Sequence, residues 1–383
     1  MEKIYRFFVR ISCLFILNRK LRHKVSDYFL NSNFFTSLYS FVRFCFHKKK
    51  FNGILIVELN NCHTECVIAY TKLFQKLGYC IDIIITRKAL SNKPFTKQEK
   101  KLLNIYTFSL ATFSWIKNII NKKNYKCILL TSDTGYFTNN VNIIEKYPFL
   151  NKMNNFYVVC HDLKDIIRNN LEYLNKKHHL IMLGKFNKGV FINPNIFTDN
   201  YTHKKNDVTK FVVVGAIQAY RKNHNLLIEA IKTLKDKNLN FYVDVIGKGS
   251  LKNLPSDISD YIRFHGYLNF PKMFNIVKNS DFFLPLLDQN NPDHNRYITT
   301  GVTGSAQMIY GFRKIPLIQQ KFSSFYKFDK ENALFYNENL SIVMEEAIKM
   351  TQQEYLKYYN NLNRTVLDIN KESMENLRRI LHV

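Results

Sequence analysis

At 383 residues, 46% of them hydrophobic, the chain is long enough for two domains and too apolar for intrinsic disorder. A formal net charge of +26 calls for an acidic partner: nucleotide phosphates, nucleic acid or an anionic membrane, with part of the excess following from a Lys-, Asn-, Ile- and Phe-rich composition. The seven cysteines are odd in number, form no CxxC pair and sit mostly in apolar runs, so reduced, packed thiols in a cytosolic protein are expected.

Residues 1–50 carry eleven Lys and Arg against two acids. Within Ile4 to Leu17, Arg6 and Arg10 share one helix face and Phe7, Phe8, Ile11, Leu14 and Phe15 the other. The segment is too short and too charged to span a bilayer and has no small-residue cleavage site. It reads either as an amphipathic basic helix on the inner face of an anionic membrane or as a helix packed on the protein's own body. Lys48 to Lys50 mark its end.

From Phe51 strands and helices alternate, which predicts a doubly wound parallel sheet over residues 51–200. Gly53 to Leu59, Ile81 to Thr86, Cys127 to Thr131 and Phe156 to Cys160 are apolar strands; Glu65 to Leu77, Gln98 to Asn121, Asn140 to Tyr147 and Leu163 to Leu174 read as helices. Two turns at strand carboxyl ends carry reactive groups. His63 and Glu65 follow the first strand, and His161 and Asp162 follow the strand ending at Cys160. A histidine or carboxylate there can act as a general base or hold sugar hydroxyls, and Glu65 also suits the first turn of a helix. Cys62-His63-x-x-Cys66 lacks a second ligand pair, and no metal is expected.

Residues 191–209 are polar, contain Pro194 and lack apolar periodicity, reading as a linker. A second alternating half occupies 201–350. Its strands are Phe211 to Ala216, Phe241 to Ile246, Ile262 to Gly266, Phe282 to Leu287 and Ile315 to Ile318, and a helical tail fills 351–383. Phe282 to Ile318 forms a βαβ unit whose turn, Thr303-Gly304-Ser305, combines good cap residues with room for a ligand. Amides at such a helix start can cradle a phosphate.

Val213-Val214-Gly215, Arg221-Lys222-Asn223-His224, Val245-Ile246-Gly247-Lys248-Gly249, Phe264-His265-Gly266-Tyr267 and Ser280-Asp281 to Pro285 follow one another in a fixed order. In that order, over about residues 208–320, the chain resembles the donor-binding domain of GT-B glycosyltransferases, the family-4-like group in particular. The resemblance implies two facing Rossmann-like domains, with a nucleotide-diphosphate sugar bound by the second and a glycan or lipid-linked acceptor by the first. It assigns Gly215, Arg221, Lys222, Gly247, Lys248, Thr303, Gly304, Ser305 and Gln307 to the donor. The basic N-terminal segment resembles bacterial surface-polysaccharide and lipopolysaccharide transferases that work, peripherally, at the inner membrane face. Family-4-like enzymes usually carry a spaced pair of glutamates around the turn after the fourth strand. Here Asp293, His294 and Asn295 occupy the loop, and Ala306 or Gln307 stands near the second position, with Gln307 a candidate for the ribose. An inverting reaction needs a general base, for which His161, Glu65 and His63 are candidates; a retaining one needs none there.

Three other readings share these features. A GT-B nucleotide-sugar 2-epimerase gives the basic N-terminus no use. A pseudoenzyme that binds donor without transferring it is compatible with the missing glutamates. A non-catalytic membrane- or nucleic-acid-binding protein accounts for the charge, but RNP, zinc-finger and basic-zipper patterns are absent and no nucleic-acid partner is expected.

Overall fold

The computed structural model describes every residue except 1–8, 10, 12, 17, 19, 23–24, 26–31, 48–51, 62, 136–140, 178, 199–200, 202–203, 219–220, 250–253 and 383. Arg6, Arg10 and Lys48 to Lys50, central to the membrane reading of residues 1–50, lie outside the described residues. The chain divides into two compact units, Met1–Val159 and Cys160–Val383.

The first unit opens with helix α1 (Asn33–Phe46), followed by β1 (Gly53–Glu58), α2 (Thr64–Lys76), β2 (Cys80–Ile85), β3 (Asn104–Thr107), β4 (Cys127–Leu130) and β5 (Phe156–Cys160). With β6 (Leu180–Met182) and β7 (Val190–Phe191) these strands give a seven-stranded sheet of order β3-β2-β1-β4-β5-β6-β7. Every residue of β1 is buried, because parallel neighbours flank it on both sides and helices cover its faces. The order reverses between β1 and β4, at the carboxyl end of Glu58.

Part of the segment expected as one helix over 98–121 is instead the edge strand β3. Ile105, Tyr106 and Thr107 are β-branched or aromatic and pair with β2, and α1 supplies the polar groups this edge needs. Thr107 N donates to Ser40 Oγ at 2.9 Å, and Arg43 Nη1 donates to Ile105 O at 3.1 Å. Phe44 is buried against Tyr106, ring centroids 5.0 Å apart. The opposite face of α1 leaves Phe34, Leu38, Val42 and Phe46 exposed at fourfold spacing.

The second unit adds α3 (Leu163–Arg168), β8 (Thr209–Val214), α4 (His224–Asp236), β9 (Phe241–Ile246), β10 (Ile262–Gly266), β11 (Phe282–Phe283), α5 (Gly304–Phe312), β12 (Ile315–Gln319), β13 (Leu334–Tyr336) and the long terminal helix α6 (Gln352–Leu381). Six parallel strands run in the order β10-β9-β8-β11-β12-β13, reversing between β8 and β11. Open α/β sheets bind ligands at this switch point, outside the carboxyl ends of the strands. Phe211 and Phe282 stack across it at 5.6 Å, each side chain contributing roughly 1.5–3 kcal/mol through burial.

Two local readings change. β11 ends at Phe283 rather than Leu287, because Leu286, fully buried, takes a left-handed φ of +53°. Residues 192–197, expected within a linker, are buried and bonded to α6: Asn193 N donates to Ser373 Oγ at 2.9 Å and Asn195 N to Asn370 Oδ1 at 2.8 Å. A capping box between Thr351 and Glu354 starts α6.

Candidate functional site

The carboxyl edge of the second sheet is built by backbone packing between loops. Gly215 N donates to Ile246 O, Ile217 N to Lys248 O and Gly247 N to Gly266 O, each at 2.9 Å. A Cβ on Gly247 would lie 1.7 Å from Gly215 O, so only glycine lets the loops after β8 and β9 touch. Gly215, at φ +133°, leaves space for the stem of Lys222, whose Cε would stand 2.9 Å from an added Cβ. Lys248 is exposed on the rim of this edge.

Lys222 spans the switch point. Its Nζ donates to Pro285 O at 2.9 Å and Ser305 Oγ at 3.0 Å, joining the loop after β8 to the loop after β11 and to the first turn of α5. Burial holds its pKa down to about 7. Asn223, the N-cap of α4, fastens the same two loops: its N donates to Leu286 O at 2.9 Å and its Nδ2 to Asp288 Oδ2 at 2.8 Å. These bonds sustain the left-handed Leu286, a strain of the kind concentrated at functional sites. Arg221 lies half-buried alongside, Nη1 donating to Tyr297 OH at 3.4 Å.

Thr303 caps α5, accepting from Ser305 N at 3.3 Å, and Gly304 is exposed with open space where a side chain would stand. Thr303, Gly304, Ser305 and Lys222 therefore form one corner where helix amides and an ammonium meet. Gln307 is not part of it. It is buried and its Nε2 donates to Asn193 Oδ1 at 2.8 Å, a packing role in place of the expected ribose contact.

Asp162 is the N-cap of α3 and the hub of a clamp: Lys164 N donates to Oδ1 at 3.0 Å and Arg296 Nη2 to Oδ2 at 2.8 Å. Leu163 N also donates to Thr300 O at 2.7 Å, and Val302 N to the half-buried His161's carbonyl at 3.4 Å. His161 and Asp162 thus hold the loop that leads into α5.

In the first unit the switch point carries a carboxyl. Glu58 is fully buried and receives Asn60 N at 2.5 Å, Thr131 Oγ1 at 2.7 Å and Ser132 Oγ at 2.8 Å. Burial raises its pKa to about 7, against the pull of His63 and these donors. His63 Nδ1 lies 3.5 Å from Glu65 Oε1. Burial works against its proton, but Glu65, Glu58 and Asp133 outweigh it and hold its pKa above the ordinary value. His63 and Glu65 are thus brought together; His161 belongs to the other unit.

The resemblance ran an acceptor-side loop from Glu58 to Glu65 but singled out only His63 and Glu65 within it, though a lone carboxylate ending an apolar strand is a signal. Sequence reasoning missed Arg296, whose partner lies 134 positions away.

Residues 208–290 match the family model described as Glycosyl transferases group 1. They span β8 to β11 and include Gly215, Arg221, Lys222, Gly247 and Lys248. No curated protein sequence matches the chain. Among solved structures, TarM is similar at 10% identity over 87% of this chain and 99% of that one, with a TM-score of 0.56. An alpha-glucosyltransferase in complex with UDP and a mismatched 13-mer DNA is similar at 13% identity over 85% and 95%, TM-score 0.54. The fold is that of the GT-B glycosyltransferases, as the order of motifs implied.

Proposed function

We propose that the protein transfers a sugar from a nucleotide-diphosphate sugar to a lipid-linked or saccharide acceptor in surface-glycan synthesis. The observation that carries this is Lys222, a buried ammonium at the switch point of a domain that matches glycosyltransferases group 1. The UDP in the alpha-glucosyltransferase of the same fold supports a nucleotide diphosphate as the leaving group. As the sugar departs, negative charge grows on the diphosphate. Lys222, Arg221 and the amides at the start of α5 are placed to receive that charge. The approaching diphosphate in turn favours the protonated form of Lys222. In an inverting course His63, backed by Glu65, takes the proton of the acceptor hydroxyl; a retaining course leaves that pair to bind the acceptor.

We assign the protein a peripheral place on an anionic membrane. No helix among the described residues is long and apolar enough to cross one. The exposed Phe34, Leu38, Val42 and Phe46, beside Trp115, form an apolar stripe suited to an interface. The deciding experiment is a thermal-shift and calorimetric screen of UDP-, GDP- and CMP-sugars, followed by product analysis with donor alone and with acceptor. Binding plus acceptor-dependent transfer is expected. Failure of every donor to bind would sink the proposal, and conversion of donor without acceptor would indicate an epimerase.

A further inference from the structure

The loop after β11 places a second group beside Lys222. His294 is fully buried, and its Nδ1 accepts from Asp288 N at 2.8 Å. A ring nitrogen that accepts from an amide carries no proton, so in the neutral ring the proton sits on Nε2. Burial, outweighing Asp288, holds the pKa of His294 below its ordinary value, so the ring is neutral at pH 7. Nε2 is itself buried and has no hydrogen-bond partner among the described residues. A buried donor without a partner is uncommon in native proteins and calls for an explanation. The ring lies within electrostatic reach of the Lys222 ammonium. It also packs near Tyr297, centroids 6.1 Å apart, whose hydroxyl accepts from Arg221. His224, the first residue of α4, is likewise near Lys222, and neither of its ring nitrogens is bonded among the described residues.

We infer that His294 is a donor-contact residue: its Nε2–H binds a diphosphate oxygen of the nucleotide sugar, next to Lys222. This rests on the donor-site reading above and adds a residue to it. The chemistry fits the position. A neutral N–H donor suits a phosphate oxygen, and the bond from Asp288 N fixes the ring without help from a ligand.

The test separates the two ring nitrogens. In H294N the amide oxygen can replace Nδ1 and keep Asp288 N satisfied, while the Nε2–H is lost; in H294Q an amide donor reaches the Nε2 position. Calorimetry of wild type, H294N and H294Q would use UDP, GDP and inorganic pyrophosphate. In parallel, 15N-histidine spectra of the wild type would follow the Nε2–H of residue 294 during pyrophosphate addition. We expect the tightest-bound probe to weaken about tenfold or more in H294N at the wild-type melting temperature, and to recover in H294Q even though that variant, whose amide leaves Asp288 N without its acceptor, melts lower. The Nε2–H resonance should shift on binding. If H294N binds as the wild type does and the resonance stays put, the proposal for His294 is overturned while the donor site stands. If the wild type binds none of the three probes, the donor-site reading fails and takes this proposal with it.

Discussion

Lys222 Nζ and Ser305 Oγ stand 3.0 Å apart, so one buried ammonium ties the loop after β8 to the first turn of α5. Replacing Lys222 by Met removes the charge and keeps the stem that fills the space beside Gly215. We expect transfer to fall by about 10²–10³ in kcat, measured with the donor found in the screen. Stability should move the other way. The folded pKa is lowered to about 7 from 10.5, so in that window the unfolded chain binds more protons and wild-type stability rises with pH, by up to roughly 5 kcal/mol in total. Chemical denaturation at pH 7 and pH 10 should show that rise in the wild type and its loss in K222M.

Glu58 gives the opposite slope. Its folded pKa is raised from 4.5 to about 7, so its contribution is complete below pH 4.5 and is lost as pH climbs through 7. The E58Q variant should gain on the wild type between pH 5 and pH 8, by about 3 kcal/mol at most. Equal pH slopes in the two proteins would refute this account of the carboxyl.

The glycines of the second unit divide into two kinds. Gly247→Ala drives a Cβ into Gly215 O and should prevent the unit from folding or cost about 3 kcal/mol or more. Gly304→Ala meets open space at the start of a helix and should leave the melting temperature unchanged or slightly raised. Reduced donor affinity in G304A, at full stability, is expected if phosphate approaches that amide.

Asp162 serves as helix cap and as partner to Arg296. D162A should destabilise by about 1–3 kcal/mol, read by denaturant unfolding. R296A should cost less than about 1 kcal/mol, because the arginine is 43% exposed and screened.

Much of this architecture was legible from residue order. Apolar runs such as Gly53 to Leu59 and Phe211 to Ala216 read as buried parallel strands, and the glycines after Val214 and Ile246 pointed to a ligand edge in the second unit. What the sequence concealed depends on distant partners. β3 was hidden in a helix-like stretch because its strand state is secured by α1, and Gln307 looked available to a ribose until Asn193 engaged it. The roles of Arg296 and of the Nε2 of His294 follow from contacts that no spacing rule encodes.

The α1 helix bears on how membrane binding is tested. It supplies Ser40 and Arg43 to the backbone of β3, the outermost strand of its sheet. Removing residues 1–50 would strip that cover and present an unpaired strand to other molecules, inviting aggregation that sediments or floats with liposomes for the wrong reason. Point changes on the outer face avoid this. Leu38→Glu and Val42→Glu alter exposed positions, should leave stability within about 0.5 kcal/mol, and should abolish flotation on anionic liposomes if the stripe inserts. The same helix is therefore both the proposed contact with lipid and the guard that keeps the sheet from polymerising.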